Sequence, residues 1–419
     1  MEAGDGWIVR IRPSRARVPA RRLDRLARLA RWAGNGIIEL TRRANLQIRG
    51  VSSAHLEPLR SELLTLELAS ATPELETRAQ VLVSALSGLD TRCPPLEPLA
   101  DTLEQVLATS SGAAALSHKF CIVLSGGDDA SSSVSADVHV RVDPAESRAR
   151  VFLGGTVSDS IALGCCGTDD VPELIRRLIA SLAASPEPGV RLRDALRSPV
   201  LALLLMDLAP LLSPDRSSTA SWPAPGLGFQ SGQDRWAGLE LPFGSATADA
   251  WIAIAELAEQ HGNGEVRLSP ARQVLLPGLG RTAQSAVAAV VARHGLRIER
   301  AHGEPELIAC SGAPACRSAH AETRALAIAL GKAAPGAFDS SSALHVSGCE
   351  KGCASSGPAT LTVVATASGY QLGWGKTVAE TSLSPSVSRA ELESQLAADA
   401  RRGGRAAEWQ PAELPRHTP

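Results

Sequence analysis

The run from Gly34 to Val51, GNGIIELTRRANLQIRGV, returns 228 positions later as Gly262 to Leu279, GNGEVRLSPARQVLLPGL. Self-similarity of this kind restricts the possible folds more than composition does, because each copy must build the same supersecondary unit. Apolar residues at helical spacing precede each copy, over Arg22 to Trp32 and Asp249 to Gln260. Short strand-like runs, Trp7 to Ile11 and Gly238 to Leu241, come before those helices, and further helical patterns, Leu56 to Leu64 and Thr282 to His294, follow the copies. The similarity continues more faintly. Phe120 to Gly126 parallels Leu344 to Gly348, strand patterns at Asp137 to Val142 and Thr360 to Ala365 correspond, and helical patterns at Val171 to Ala184 and Arg389 to Arg402 close the two halves. The chain reads as an α+β protein made of two copies of one module, joined by a Pro-, Ser- and Gly-rich linker from Ser213 to Gly228.

With 419 residues, 44% of them hydrophobic, the chain has enough apolar material for more than one core. The start has no basic segment followed by an apolar one, so no secretory signal is expected, and the protein is expected in the cytoplasm. Leu201 to Leu212 is apolar but interrupted by Asp207 and far shorter than the ~20 residues that span a bilayer, so it reads as a buried helix and no membrane is implied. A net charge of −2 argues against nucleic acid as a partner. Charge is uneven, however: residues 1–50 hold twelve arginines against Glu2, Asp5, Asp24 and Glu39. That arginine excess is either a solvated helix face with structural ion pairs or a cleft for a polyanion.

Four of the eight cysteines fall in the second copy alone, as Cys310, Cys316, Cys349 and Cys353, spaced C-x5-C-x32-C-x3-C. The first pair stands in a loop that opens into a helical pattern from Arg317 to Leu330, so the thiolates are expected where helix amides and the helix dipole favour negative charge. The second pair follows a short apolar strand. Gly348 and Gly352 each directly precede one of its cysteines and can let the backbone fold tightly around a bulky inorganic group. On spacing alone the readings are an iron–sulfur cluster, a zinc site, two disulfides or plain packing. Disulfides are disfavoured without a secretory signal, and zinc pairs usually stand about two to four residues apart.

Three stretches, Thr41 to Gly50 (TRRANLQIRG), Leu116 to Phe120 (LSHKF) and the C-x5-C with C-x3-C pair, make the chain resemble the nitrite and sulfite reductase superfamily over nearly its whole length, from Gly6 to Arg402. The resemblance implies a duplicated α+β fold in which two ferredoxin-like half-domains, residues 1–70 and 229–297, alternate with two larger α+β domains, residues 71–212 and 298–403, before a loose tail over 404–419. The second of the larger domains would carry a [4Fe–4S] cluster on Cys310, Cys316, Cys349 and Cys353.

Sirohaem reductases of the superfamily end the segment matching Leu116 to Cys121 in Lys-Phe-Lys, and carry an arginine followed by asparagine in the segment matching Ala79 to Asp90. Here only Lys119 remains, Cys121 replaces the second lysine, and Ala79-Gln80 stands beside Arg78. Reducing a small oxyanion by many electrons needs charge neutralisation at the reacting face, so this loss matters chemically. The pattern is similar to that of the precorrin-3B synthase family. This resemblance implies an NADH-dependent monooxygenase of cobalamin biosynthesis, which hydroxylates precorrin-3A with O2 and forms a γ-lactone, with a [4Fe–4S] cluster and an associated non-haem iron. A sirohaem-dependent sulfite or nitrite reductase is the alternative. The chain also lacks the longer N-terminal arm of many relatives, so a wrap-around contact to the other half is expected to be missing.

A polycarboxylate tetrapyrrole calls for a fork of cations, and the candidates are Arg43, Arg49, Arg267, Arg272, Lys119 and Lys351. For the non-haem iron no compact ligand set is visible: His118, His139, His302, His320 and His345 each read as structural, and the vicinal Cys165-Cys166 reads as packing. No G-x-G-x-x-G opens a helix after a strand, so NADH is expected to act through a separate reductase or ferredoxin.

Overall fold

In a computed structural model the described residues are 1–70, 72, 79–144, 146–184, 192–196, 205–214, 226, 228–231, 235–298, 304–333, 338, 342–355 and 357–401. Arg78, His302, most of the linker and the tail from residue 404 lie outside them. The first half runs β1 (Glu2–Ala3), β2 (Gly6–Ile11), β3 (Arg17–Pro19), α1 (Ala20–Ala33), β4 (Ile37–Leu40), β5 (Leu46–Val51), α2 (Leu56–Thr65), β6 (Gln80–Val83), α3 (Glu97–Thr109), β7 (Cys121–Ser125), β8 (Ala136–Asp143), β9 (Arg148–Gly155), β10 (Ile161–Gly167) and α4 (Val171–Ala183). The second half runs β11 (Gly228–Ser231), β12 (Arg235–Glu240), β13 (Ser245–Thr247), α5 (Ala248–His261), β14 (Glu265–Ser269), β15 (Gln273–Pro277), α6 (Gln284–His294), β16 (Glu306–Ala309), α7 (Thr323–Ala333), β17 (Ala343–Ser347), β18 (Ala359–Thr366), β19 (Gly369–Lys376) and α8 (Arg389–Arg401). Two compact units form, one of Val9–Ile298 and one of Met1–Ile8 with Glu299–Pro419.

Within the larger unit the repeat is exact enough to carry backbone detail. The left-handed residues Gly36, Ala44 and Gly50 return as Gly264, Arg272 and Gly278 at the same offset. Helix α1 buries Leu23, Leu26, Ala27 and Ala30, an i, i+3, i+4, i+7 stripe. It stops at Gly34, where a Cβ would lie 2.3 Å from the Arg49 carbonyl oxygen. The arginines on its outer face find carboxylates: Arg21 with Glu259 at 2.7 Å, Arg25 with Glu62 at 3.1 Å, Arg28 with Asp24 at 2.9 Å, and Arg22 and Arg31 with Glu67 and Asp249. On this helix the arginine excess is a solvated face laced with ion pairs, not a polyanion cleft.

The copies exchange strands. β3 of the first half pairs antiparallel with β14 of the second, Val18 opposite Val266, and β13 of the second pairs with β4 of the first, Ala246 opposite Ile38. Reciprocal amide bonds, Ala20 N–H to Gly264 O at 2.8 Å and Ala248 N–H to Gly36 O at 2.7 Å, lock the helix starts. Trp251 of α5, fully buried, donates its indole N–H to Ile38 O at 3.2 Å. Neither half-domain completes its sheet alone.

The two larger sheets also match. In one, β6, β7 and β8 run parallel, β9 returns antiparallel to β8 and β10 pairs antiparallel with β9, with α3 and α4 contributing Leu103, Val106, Leu174 and Leu178 to a continuous core. In the smaller unit β16, β17 and β18 run parallel and β19 returns antiparallel. One expectation is corrected. In the Leu201 to Leu212 stretch, described from residue 205, residues 205–208 are helical and are followed by a 3-10 turn over Ala209–Leu211. Leu208 is buried but Met206 is 74% exposed, so the described part is amphipathic and not the buried helix expected. No described helix is long and apolar enough to cross a membrane.

Candidate functional site

β16 and β17 pair in parallel with Ala309 beside Val346, so Cys310 and the Gly348-Cys349 turn leave from the carboxyl ends of neighbouring strands, where open sheets of this kind place ligands. Gly348 N–H donates to Cys310 Sγ at 3.3 Å. Gly348 O accepts His320 N–H at 2.9 Å, which ties the first cysteine loop to the second. Within the first loop Cys316 N–H reaches Gly312 O at 2.8 Å and Ala319 N–H reaches Cys316 O at 3.1 Å. These turns occupy the stretch from which a helix at Arg317 was expected to begin. Helix α7 therefore starts at Thr323, and the sulfur receives its amide from Gly348 instead of from a helix end.

All four thiols lie close enough to act on one another's charge. Burial, and then the neighbouring thiols of Cys349, Cys310 and Cys316, push the Cys353 thiol above its ordinary value, while Lys351 opposes them. Cys353 is the exposed member of the set. Lys351 Nζ donates to Ser318 Oγ at 3.0 Å. Glycine leaves room for the close approach: a Cβ at Gly348 would stand 2.7 Å from Ala319 Cβ, and Gly352 has φ +59°. A single zinc would draw four sulfurs to within about 3.8 Å of one another, from a Zn–S bond of ~2.3 Å. Among the described residues no three Cys, His, Asp or Glu are gathered to hold one metal ion. Four thiols near enough to perturb one another, at the ends of neighbouring strands, are a ligand set that a [4Fe–4S] cluster would take with one cysteine to each iron.

The equivalent place in the first half is closed. Ser84 follows β6 as Cys310 follows β16, and its hydroxyl donates to Asp128 Oδ2 at 2.8 Å; Ser131 N–H donates to Asp128 Oδ1 at 2.8 Å. Burial raises the Asp128 carboxyl above the ordinary range. Burial together with Asp128 pushes the adjacent Cys93 thiol up to about 12. A hydrogen-bonded carboxyl thus fills what the other half leaves to four thiols.

The basic residues lie as follows. Arg43 donates to Lys119 O at 3.4 Å and Ser135 O at 3.2 Å. Arg49 is buried and pairs with Glu39 at 3.4 Å. Arg267 is buried against Glu265 at 2.7 Å and the carbonyl oxygens of Ala85 at 3.2 Å and Ser87 at 2.5 Å. Arg272 holds a left-handed turn with its stem against Gly244. The Lys119 side chain is exposed, and its residue is reached by Arg43 through the backbone. Cys121 is fully buried with its amide on Asp137 Oδ2 at 3.0 Å. His139 and His345 are buried, His118 and His320 exposed, and Cys165 and Cys166 buried.

The chain's start does make a contact that its shortness argued against. Gly4 N–H donates to Ala315 O at 3.1 Å, directly before Cys316, and Glu2 pairs with Arg317 at 2.7 Å. A Cβ at Gly4 would lie 2.2 Å from Pro314 O, so the hairpin of β1 on Gly6 and Trp7 rests against the cysteine loop without side-chain clearance.

The family described as nitrite/sulfite reductase ferredoxin-like half domain matches residues 1–66 and 229–294, the two strand-exchanged copies. A precorrin-3B synthase of Sinorhizobium sp. is 32% identical over 379 residues, covering 89% of this chain and 80% of that protein. The chain belongs to the precorrin-3B synthase family. A ferredoxin–nitrite reductase of Synechococcus elongatus is more distant, at 23% identity over 83% of this chain and 74% of its own length. The NirA protein of Mycobacterium tuberculosis shares the fold, with a TM-score of 0.70 over 88% of this chain and 76% of that one at 18% identity. Membership places this precorrin-3B synthase relative among the oxidoreductase-type enzymes of cobalamin biosynthesis, on a nitrite/sulfite reductase fold.

Sequence reading missed three residues of this family member that shape its site. Thr323 was counted only as part of a helical pattern, yet it starts the helix and bonds to Cys310. Asp128 gives no signal, since Asp128-Asp129 after a Gly-Gly pair reads as a turn. Gly4 could have been noticed only as a small residue near the start.

Proposed function

We propose that this chain is a precorrin-3B synthase that hydroxylates precorrin-3A with an oxygen atom from O2 and closes a γ-lactone, on electrons that come ultimately from NADH through a separate reductase or ferredoxin. It is proposed to work in the cytoplasm. The observation that carries the reading is a four-thiol site at the carboxyl ends of β16 and β17, in a chain 32% identical to a curated synthase. In this proposal Cys310, Cys316, Cys349 and Cys353 hold a [4Fe–4S] cluster, which supplies single electrons when bound. Gly348 N–H donates a hydrogen bond to Cys310 Sγ at 3.3 Å and so orients that sulfur. Cys353, the exposed thiol, marks the side from which an electron donor reaches the site.

Lys119 and Arg43 are the proposed contacts for substrate carboxylates. Lys119 brings a mobile ammonium, and Arg43 fixes the backbone that carries it. Arg49 and Arg267, turned to internal carboxylates and carbonyls, hold the two β-turn regions in place, with Arg272 as a further rim cation; Lys351, in the smaller unit, is proposed as a cation beside the cysteines. Cys121 supports a substrate other than a small oxyanion, because a buried thiol in a strand cannot replace the second ammonium that such chemistry needs.

The test is anaerobic purification with iron, sulfide and sirohaem analysis, followed by reaction with precorrin-3A under 18O2. About four iron and four sulfide per chain, no sirohaem and one labelled oxygen in the product are expected. Stoichiometric sirohaem with turnover of sulfite or nitrite would select the reductase alternative. Absence of label in any tetrapyrrole product, with cluster and reductant both intact, would end the reading.

A further inference from the structure

Thr323 touches both cysteine loops. Its hydroxyl donates to Cys310 O at 2.7 Å and lies 3.8 Å from Cys310 Sγ. A Cβ on Gly312 would meet Thr323 Oγ1 at 2.6 Å and Thr323 N at 2.7 Å, so the first loop is pressed against it; a Cβ on Gly348 would meet Thr323 Cγ2 at 3.3 Å, so the second loop is close as well. The residue is fully buried. Its backbone begins α7, a helix that packs on β16 and β17. One side chain on a rigid element thus sits between the backbone that bears Cys310 and the turn that bears Cys349.

We propose that Thr323 is a positioning residue whose hydroxyl fixes Cys310 relative to Gly348 and so governs how firmly the four-thiol site retains its metal; this rests on the cluster reading above. The physical reason lies in the Cys310 carbonyl. A buried carbonyl oxygen that loses its donor must find another, and here the route to one is rotation of the Cys310 peptide. Rotation moves Sγ away from the Gly348 amide, and the sulfur loses that backbone N–H. Partners outside the ligands commonly set ligand orientation and metal affinity in this way. The methyl group has a separate role, as packing against Gly348.

The experiment compares wild type with Thr323→Val, which keeps the methyl and removes the hydroxyl, and Thr323→Ser, which does the opposite. Each is purified anaerobically, assayed for iron and sulfide, checked for fold by circular dichroism, and challenged with an iron chelator. Thr323→Val should lose iron about tenfold faster than wild type, equivalent to ~1.4 kcal/mol, whereas Thr323→Ser should stay within about twofold, a shift well under one decade. If Thr323→Val does not fold, the Thr323→Ser and Thr323→Ala pair isolates the hydroxyl in the same way, with Ala expected to be the fast one. Release from Thr323→Val at the wild-type rate, or Thr323→Ser as fast as Thr323→Val, would overturn the positioning role. Wild-type protein holding zinc, or neither iron nor sulfide, would instead overturn the cluster reading and this proposal with it.

Discussion

Gly4→Ala adds one methyl group at the point where the N-terminal hairpin meets the cysteine loop. The new Cβ would stand 2.2 Å from Pro314 O and 3.2 Å from the Ala315 carbonyl carbon, against ordinary contact from 3.4 Å. Either the hairpin or the loop must move by about 1 Å, which stretches the 3.1 Å bond from Gly4 N–H to Ala315 O past the ~3.2 Å usual limit of such bonds. Losing that bond costs about 1 kcal/mol, or roughly a fivefold change in the docked population. The Glu2–Arg317 pair is more than half exposed on both sides and adds little resistance. Hydrogen exchange of the hairpin amides should speed up about fivefold by the same estimate, and anaerobic iron release to a chelator should rise with it, because Ala315 directly precedes Cys316. If exchange shows the hairpin loosened while iron release is unchanged, the hairpin does not support the cysteine loop. Unchanged exchange would refute the contact itself.

Cys349→Ser should remove most acid-labile sulfide and lower folded yield, since cluster binding also stabilises the smaller unit; sulfide retained at wild-type level would remove Cys349 from the ligand set. Asp128→Asn should be more stable than wild type at pH 7. Burial raises the Asp128 carboxyl, so the folded chain keeps a proton that the unfolded chain releases above about pH 4, and stability is full below that value and declines as pH rises through the raised one. Urea midpoints at pH 4 and pH 7 test this, and an Asn variant that is weaker at pH 7 would refute it. Lys119→Ala should weaken precorrin-3A binding about ten- to hundredfold, from a charge-assisted contact of ~1.5–3 kcal/mol at ~1.4 kcal/mol per decade, with the cluster spectrum and the urea midpoint unchanged. Arg43→Ala should weaken binding and also lower the urea midpoint, because the Lys119 and Ser135 carbonyl oxygens lose their donor; an unchanged midpoint would show that these bonds contribute nothing to stability.

Much of the architecture is written locally. The GNG turns, the left-handed Gly50 and Gly278, the apolar stripes of α1 and α5 and the alternation of strands repeat at a constant offset, and local backbone preferences depend on near neighbours alone, so the duplication and its elements can be read directly. The cysteine spacing is legible for the same reason: two short loops, each after an apolar strand. Partner choice is another matter. Nothing in the residues of β3 or β13 says that each completes the other copy's sheet, because a three-residue strand satisfies its amides on whichever edge the fold presents. The arginines of α1 were countable, but only the packing of α1 beside α5 and α2 decides that Glu259, Asp249 and Glu62 neutralise them. Helix α7 begins six residues later than its apolar pattern suggests, because the chain from Cys316 to His320 is held in turns, one of them tied across to Gly348 O of the second cysteine loop. Hydrogen-bond donors are spent once, and which acceptor takes each one is settled by the whole chain's geometry.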